Sequence, residues 1–428
     1  MKNTIQILKV QPAPLKGLIV ALCAFGIIKA MTVDERFFVP FLERNPLMGE
    51  QKTCAISLQP YALLADKSYD ERGEECPLFA YDGDTYGIRY LDDAIVLSGR
   101  RDTSLLKTEW QREILEGPYV MRGRMVGQGL ALNAYFAPRS WWGFGARTGL
   151  LNIDSNMELV RDVSRFEPVV HGLGQEQELI ALQGDVHNAL DIASTCWQGA
   201  GFSDTELFVR ACMNREYQYM CRYFSLGFEL GAVLPTGRKR DVNNPASLRF
   251  GGVNFGLYAE GSVEVLLKRD IWFFCFARAQ RRLGGALIEE RMSVDKEPWR
   301  FGALVGSFSV DPGFTFALAP WLLFEGMRDG LGFRVGYTLV THSKDAVHCA
   351  DWAPAEAGKG PVLERYSEAS SWGAERIHVG VLYDFSRGKK IRSWEPVIAA
   401  TVDVPTAWFV AKRSFKTVGL SVSLESSF

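Results

Sequence analysis

The amino-acid sequence predicts an all-β fold: a transmembrane antiparallel β-barrel of about 12–14 strands, with a plug-like segment in front of it. Three observations carry that expectation. The amino terminus is laid out as an export signal, the chain from about Tyr119 alternates apolar and polar residues with a period of two, and the final alternating segment runs to the terminal Phe428.

The export signal comes first. Lys2, Lys9 and Lys16 precede an uncharged apolar run over 17–28, and Lys29-Ala30 follows it. That order of charged region, apolar region and cleavage zone predicts a signal peptide over 1–30. The run is shorter than the roughly 20 residues that cross a hydrocarbon core, which makes a permanent helical anchor the weaker alternative. Cleavage is expected after Ala30, although Ile28 is large for the position three residues before the cut. Cys23 fails as a lipid-attachment site because the bulky Leu22 stands directly before it. No later run is long and apolar enough for a membrane helix.

Composition narrows the function. The formal net charge is −2, from 48 basic and 50 acidic side chains, so the basic field that nucleic-acid binding needs is missing. Aromatic residues make up 12% and mean hydropathy is −0.03, the average that alternating strands produce as their two faces cancel. Of the eight cysteines, only Cys349 has a histidine beside it and no pair has Cys-x-x-Cys spacing. A zinc or thioredoxin-like site is therefore not expected, and neither a metal nor a cofactor is predicted. Cysteines buried as packing residues are the expectation, with a Cys212 to Cys221 bridge as the alternative.

Residues 31–118 contain an early strand at 54–60 and helix-like stretches at 86–97 and 104–115. This segment is expected to fold into the lumen as a plug or hatch, or to remain a periplasmic extension. The barrel is expected over 119–428. Its clearest strand is 224–231, where Phe224, Leu226, Phe228 and Leu230 form one face and Ser225, Gly227, Glu229 and Gly231 the other. The stretch 253–268 repeats this, with Leu257, Val263, Val265 and Leu267 opposite Tyr258, Glu260, Ser262 and Glu264. Further strands are expected near 129–136, 141–151, 205–211, 271–279, 301–310, 314–324, 331–339, 377–385 and 397–404. Two breaks interrupt the alternation. In 152–200, Leu179, Leu182, Val186 and Leu190 follow helical spacing, and 342–371 reads as a long extracellular loop. Trp141, Trp142, Trp272, Trp299, Trp321, Trp394 and Trp408 fall near strand ends, as aromatic girdles would.

Charges on the inward faces are the functional candidates. Glu229, Glu260, Glu264, Arg334, Asp384 and Asp403 are expected to line a pore and select solutes, or to pair with one another and stiffen the wall. An enzyme is not expected: His342-Ser343 is the only adjacent pair of the kind, and neighbours on a strand point to opposite faces. Asp82-Gly83-Asp84 lacks the rest of a calcium loop. Arg238-Lys239-Arg240 is read as a solvated loop, or as a contact for lipopolysaccharide phosphates.

The last strand is the most specific signal. Counting back from Phe428, one face carries Ser426, Leu424, Val422, Leu420 and Val418, and the other Ser427, Glu425, Ser423, Ser421 and Gly419. This resembles the carboxyl-terminal β-signal that the barrel-assembly machinery recognises in outer-membrane proteins, with Leu420, Val422, Leu424 and Phe428 carrying the match and Ser426 departing from it. A second resemblance runs through Gly201-Phe202-Ser203-Asp204-Thr205-Glu206-Leu207 and Gly231-Ala232-Val233-Leu234-Pro235-Thr236-Gly237. It is similar to FadL-like and meta-pathway phenol-degradation outer-membrane barrels, with Ser203 where those have Gly. That resemblance implies passive uptake of small, often hydrophobic compounds, and an amino-terminal hatch. Physically, Pro235 ends ladder pairing and Gly237 permits the turn.

The expected location is the outer membrane of a Gram-negative-type bacterium. Expected partners are outer-membrane lipid and lipopolysaccharide, the barrel-assembly machinery and a small solute. A structural or adhesive surface barrel with a closed lumen is the alternative to a channel, and a secreted soluble β-rich protein is the third reading.

Overall fold

The computed structural model describes residues 36–37, 53–81, 87–106, 119–161, 173–216, 223–268, 270–328, 330–349, 362–385 and 395–427. The signal over 1–30, Asp82-Gly83-Asp84, Cys221, Trp394 and Phe428 lie outside the described residues.

Twelve antiparallel strands close into one ring. They are β1 (Cys54–Ala65), β2 (Tyr119–Arg139), β3 (Trp142–Arg161), β4 (Thr205–Glu216), β5 (Tyr223–Leu234), β6 (Gly256–Lys268), β7 (Ile271–Arg282), β8 (Phe314–Arg328), β9 (Leu331–His342), β10 (Trp372–Asp384), β11 (Glu395–Thr406) and β12 (Val418–Ser427). Each pairs with its neighbours in chain order, and β12 closes the ring by pairing with β11 on one side and β1 on the other. Closure follows from the environment, because an open sheet edge in hydrocarbon leaves backbone groups unsatisfied.

The alternation read from the sequence sets the two faces. Leu226, Phe228 and Leu230 of β5 and Val418, Leu420, Val422 and Leu424 of β12 are exposed on the outside. Ser225 and Glu229 of β5 and Ser421 and Ser423 of β12 are buried inside. Exposed large apolar side chains recur around the ring, an outer surface that water would not tolerate and lipid does.

Two expectations change. The barrel begins at Cys54 rather than 119, so the segment 66–118 is the connection between β1 and β2 rather than a domain ahead of the barrel. The stretch near 301–310 is the strand Leu304–Asp311, outside the ring, in a small sheet with Ala286–Met292 and Ala346–Cys349. Its apolar Leu304, Phe308 and Val310 pack on protein instead of lipid. Alternation specifies one apolar face without saying what covers it.

Connections are short at one end and long at the other. Arg139 pairs with Trp142 across a two-residue turn between β2 and β3, and Gly330 turns β8 into β9 with φ +82°, a conformation that favours glycine. Both the start of β1 and the end of β12 lie at this short-turn end. At the other end, β2 and β3 run on for 21 and 20 residues, about 70 Å of strand against a hydrocarbon core of roughly 30 Å. Their upper parts stand above the membrane, where Cys196–Phe202 pairs with Leu150–Asn156.

The long connections build a cap over that end. Phe79, Tyr81, Leu91 and Ile95 from the β1–β2 connection pack with Met125 and Met157 of the tall strands, and with Phe250, Phe301 and Phe415 from other loops. The helix α1 (Ile88–Leu97) enters the cap with Ile88, Leu91, Ala94 and Ile95 on its buried face. The helix α2 (Leu173–Ala189) contributes Leu182 and Val186, with Leu190 just beyond it, in the spacing expected from the sequence. Arg36 and Phe37 are also held here: the Phe37 ring lies 4.7 Å from that of Phe415, and Thr417 Oγ1 donates to the Phe37 carbonyl at 2.6 Å.

A small hairpin at the cap surface gives one pH prediction. Lys416 and Lys67 donate to the Glu75 carboxylate and lower its pKa from 4.5 to about 2. A depressed carboxyl stabilises above its unfolded value, and the contribution is lost as pH falls through the folded one. A carboxyl-carbon NMR titration should give Glu75 a midpoint near 2, and a midpoint at 4.5 would contradict the pairing.

Candidate functional site

The six candidate charges all lie on the inward face: Glu229 on β5, Glu260 and Glu264 on β6, Arg334 on β9, Asp384 on β10 and Asp403 on β11. Most are drawn into two networks. On the β3–β7 side, Arg147 binds Glu229 at 2.7 Å, and Arg278 grips both oxygens of Glu206 at 2.6 and 3.0 Å. Tyr258 donates to Glu229 at 2.8 Å, and the Arg278 guanidinium lies 3.6 Å from the centre of the Tyr258 ring. Glu229 and Glu260 stand directly opposite each other in the β5–β6 register, an arrangement that repels on its own. Arg147 and Arg278 flank the pair and compensate it, with Arg278 3.9 Å from Glu260. Arg210 stands 3.9 Å from Glu264 below.

Across the barrel, His378 links Asp403 at 2.6 Å through Nδ1 and Thr338 at 2.8 Å through Nε2, with Trp321 stacked on its ring. Arg334 donates to Thr401 Oγ1. The order Thr338–His378–Asp403 is that of a nucleophilic triad. Thr338 has 0% accessible surface, which keeps substrate and water from its hydroxyl. The arrangement orients a buried histidine and ties three strands together.

A third constellation lies at the rim below the cap. Asp204, just before β4, accepts from Gly237 N at 2.8 Å, Gly252 N at 2.7 Å and Arg282 Nη2 at 2.6 Å. A side chain at Gly251 would meet the Asp204 carboxylate at 2.3 Å, so glycine is required for this approach. The Ser203-Asp204 and Pro235-Thr236-Gly237 segments singled out in the sequence are therefore two halves of one staple, with Thr205 and Thr236 hydroxyls 2.9 Å apart beside it.

Several sequence readings are corrected. In Arg238-Lys239-Arg240, the first two are exposed as a solvated loop would have them, with Arg238 donating to the Ala200 carbonyl, whereas the Arg240 side chain is buried against Glu290. Trp141 and Trp408 are exposed, as girdle residues would be. Trp321 instead faces inward, Trp272 stacks on the buried Phe274, and Trp299 sits in the cap against Tyr366. Cys212 is a free thiol whose Sγ donates to the Ser140 carbonyl at 3.4 Å, and its suggested partner Cys221 lies outside the described residues. His342 binds Thr315 and Asp345, while Ser343 accepts from Phe314 N, so the two do not interact as base and nucleophile.

Arg147, Arg278, Arg282 and His378 were not singled out by sequence. The signal that finds some of them is phase: Phe274, Phe276, Arg278, Gln280 and Arg282 share the buried stripe of β7.

Twelve strands in a closed ring, apolar outside, charged inside, with short turns at one end and long loops at the other, define an outer-membrane β-barrel. No family model matches the sequence, and no curated protein matches it. Among solved structures, the chain is similar to an outer-membrane channel from Pseudomonas putida F1, at 9% identity over 91% of this chain and 100% of that one, with a TM-score of 0.49. It is also similar to the transport unit of the autotransporter AIDA-I from Escherichia coli, at 7% identity over 96% and 97% of the two chains, with a TM-score of 0.38. A Pseudomonas aeruginosa FadL homologue matches at 11% identity over 88% and 90%, with a TM-score of 0.32.

Proposed function

We propose that this protein is an outer-membrane channel or passive transporter for small solutes, narrowed by the cap that the connection between β1 and β2 helps to build. The observation that carries this reading is the chemistry of the interior. The wall carries Arg147, Glu206, Glu229, Glu260, Arg278 and Asp403 on its inward face, and charges that line a lumen set which solutes pass. The FadL-like resemblance extends the proposal to hydrophobic solutes. Lipid and lipopolysaccharide around the ring, and the barrel-assembly machinery at β12, are the proposed partners.

Burial favours a second reading. Glu264, Arg278 and His378 are almost wholly inaccessible, as in a permanently closed surface barrel whose long loops bind partners. Planar-bilayer recording on the refolded full chain separates the two. The channel reading expects discrete conductance steps, and Glu229→Gln with Asp403→Asn is expected to shift ion selectivity away from cations. An inserted barrel that passes no current and no small solute would leave the closed barrel standing.

A further inference from the structure

The cap encloses a cavity next to the barrel mouth with an unusual balance of charge. Arg36, Arg240, Arg249, Arg282 and Arg300 line it, and Asp345 is the one carboxylate among the described lining residues. Asp345 is already bound by His342 at 2.8 Å and by Gly313 N at 2.7 Å. Behind the wall, Glu290 is shared between Arg240 and Arg249, and Asp204 serves Arg282. Among the described residues, three carboxylates, Asp345, Glu290 and Asp204, thus stand beside five guanidinium groups. Arg300 donates to the Pro245 and Ser247 carbonyls and to Tyr81, and Arg36 donates to the Ala369 carbonyl. Neither has a carboxylate partner among the described residues.

A second, independent observation points the same way. The Arg240 side chain is 4% exposed, and its Nε and Nη2 are buried without a hydrogen-bond partner among the described residues. Buried guanidinium donors are normally satisfied, and leaving two of them empty is costly. The Trp299 ring lies 4.8 Å from the Arg240 guanidinium and 4.9 Å from that of Arg300, which supplies an apolar wall beside the charge. Burial with Arg240 and Arg36 nearby also lowers the Arg300 pKa to about 10, the response of a cation short of anions.

We propose that this cavity binds a small solute through one oxyanion group, a carboxylate or a phosphate, held by Arg240, Arg36 and Arg300. The geometry suits it: planar guanidinium groups on several sides match the oxygens of either anion. The inference stands whether or not the barrel conducts, since it concerns occupancy of the cap.

The test is calorimetric titration of the refolded full chain in detergent with benzoate, inorganic phosphate and neutral benzyl alcohol. Binding of benzoate or phosphate, and not of benzyl alcohol, is expected, and which anion binds more tightly names the group. Arg240→Gln leaves Arg249 on Glu290, and it should weaken that binding about tenfold or more, as should Arg36→Gln. Heat-modifiable gel migration checks that both variants still form the barrel. Failure of both anions to bind, or equal affinity in wild type and both variants, would overturn the proposal.

Discussion

Asp204→Ala is expected to destabilise the folded barrel by about 3–5 kcal/mol, the range for removing one partner of a buried ion pair. Asp204 and Arg282 are both buried, and the carboxylate also satisfies the amides of Gly237 and Gly252. Alanine removes the carboxylate from the buried Arg282 guanidinium and leaves two amides without this acceptor. The staple joins the chain entering β4, the turn leaving β5 and the approach to β6, so its loss should loosen the rim before the wall. Urea unfolding in detergent, followed by loss of heat-modifiable migration, gives the magnitude. A change within about 0.5 kcal/mol, the scatter of ordinary surface substitutions, would sink the idea that this pair holds the rim. In a double-mutant cycle, Asp204→Ala combined with Arg282→Met should cost less than the sum of the single changes, because the second removes the stranded charge.

Asp204 also shows what the sequence can and cannot disclose. Its segment stands out because Asp before a strand and Pro-Thr-Gly after one are turn chemistry, which is local. Its partners are not local: Arg282 lies 78 positions away and Gly252 48. The same distinction runs through the wall. That Glu229 and Glu264 face inward is legible from period two alone. That Arg278 answers Glu206, 72 positions earlier, depends on the register of four strands, which no short pattern encodes. Trp321 failed for a related reason. Its strand reads Phe-Ala-Leu-Ala-Pro-Trp-Leu-Leu-Phe, apolar on both faces, so alternation gave no ground for turning the ring inward. The cap was the least legible part, because its apolar residues come from every long connection and none of them is amphipathic by itself to an extent that shows. The stretches 86–97 and 152–200 read as helix-like from the sequence, without showing what they pack against.

The final strand is where the largest effect is expected. Removing 418–428 should abolish barrel formation outright, in detergent as well as in cells. β12 pairs along its length with β11, from Glu395↔Ser427 to Asp403↔Gly419, and with β1, from Ala55↔Ser427 to Leu64↔Val418. Its absence opens two edges in hydrocarbon at several kcal/mol for each unsatisfied backbone group, which exceeds the whole stability of an ordinary domain after a few residues. Replacing only Phe428 by Ala separates pairing from recognition. The backbone ladder through Ser427 is untouched, so the variant should refold in detergent like wild type. If the terminal aromatic is read by the assembly machinery, the same variant should accumulate poorly in the outer membrane of cells. Equal refolding with normal cellular assembly would remove the case for recognition of Phe428. A refolding defect from Phe428→Ala alone would mean that the end of the strand contributes to closure itself. Between those results stands Val422→Arg, which keeps every backbone pair and places a charge on the exposed lipid face, expected to cost about 2–4 kcal/mol near mid-membrane. The ordering of the three, deletion far worse than Val422→Arg and Phe428→Ala silent in vitro, follows from treating β12 as the seam that joins the last strand to the first.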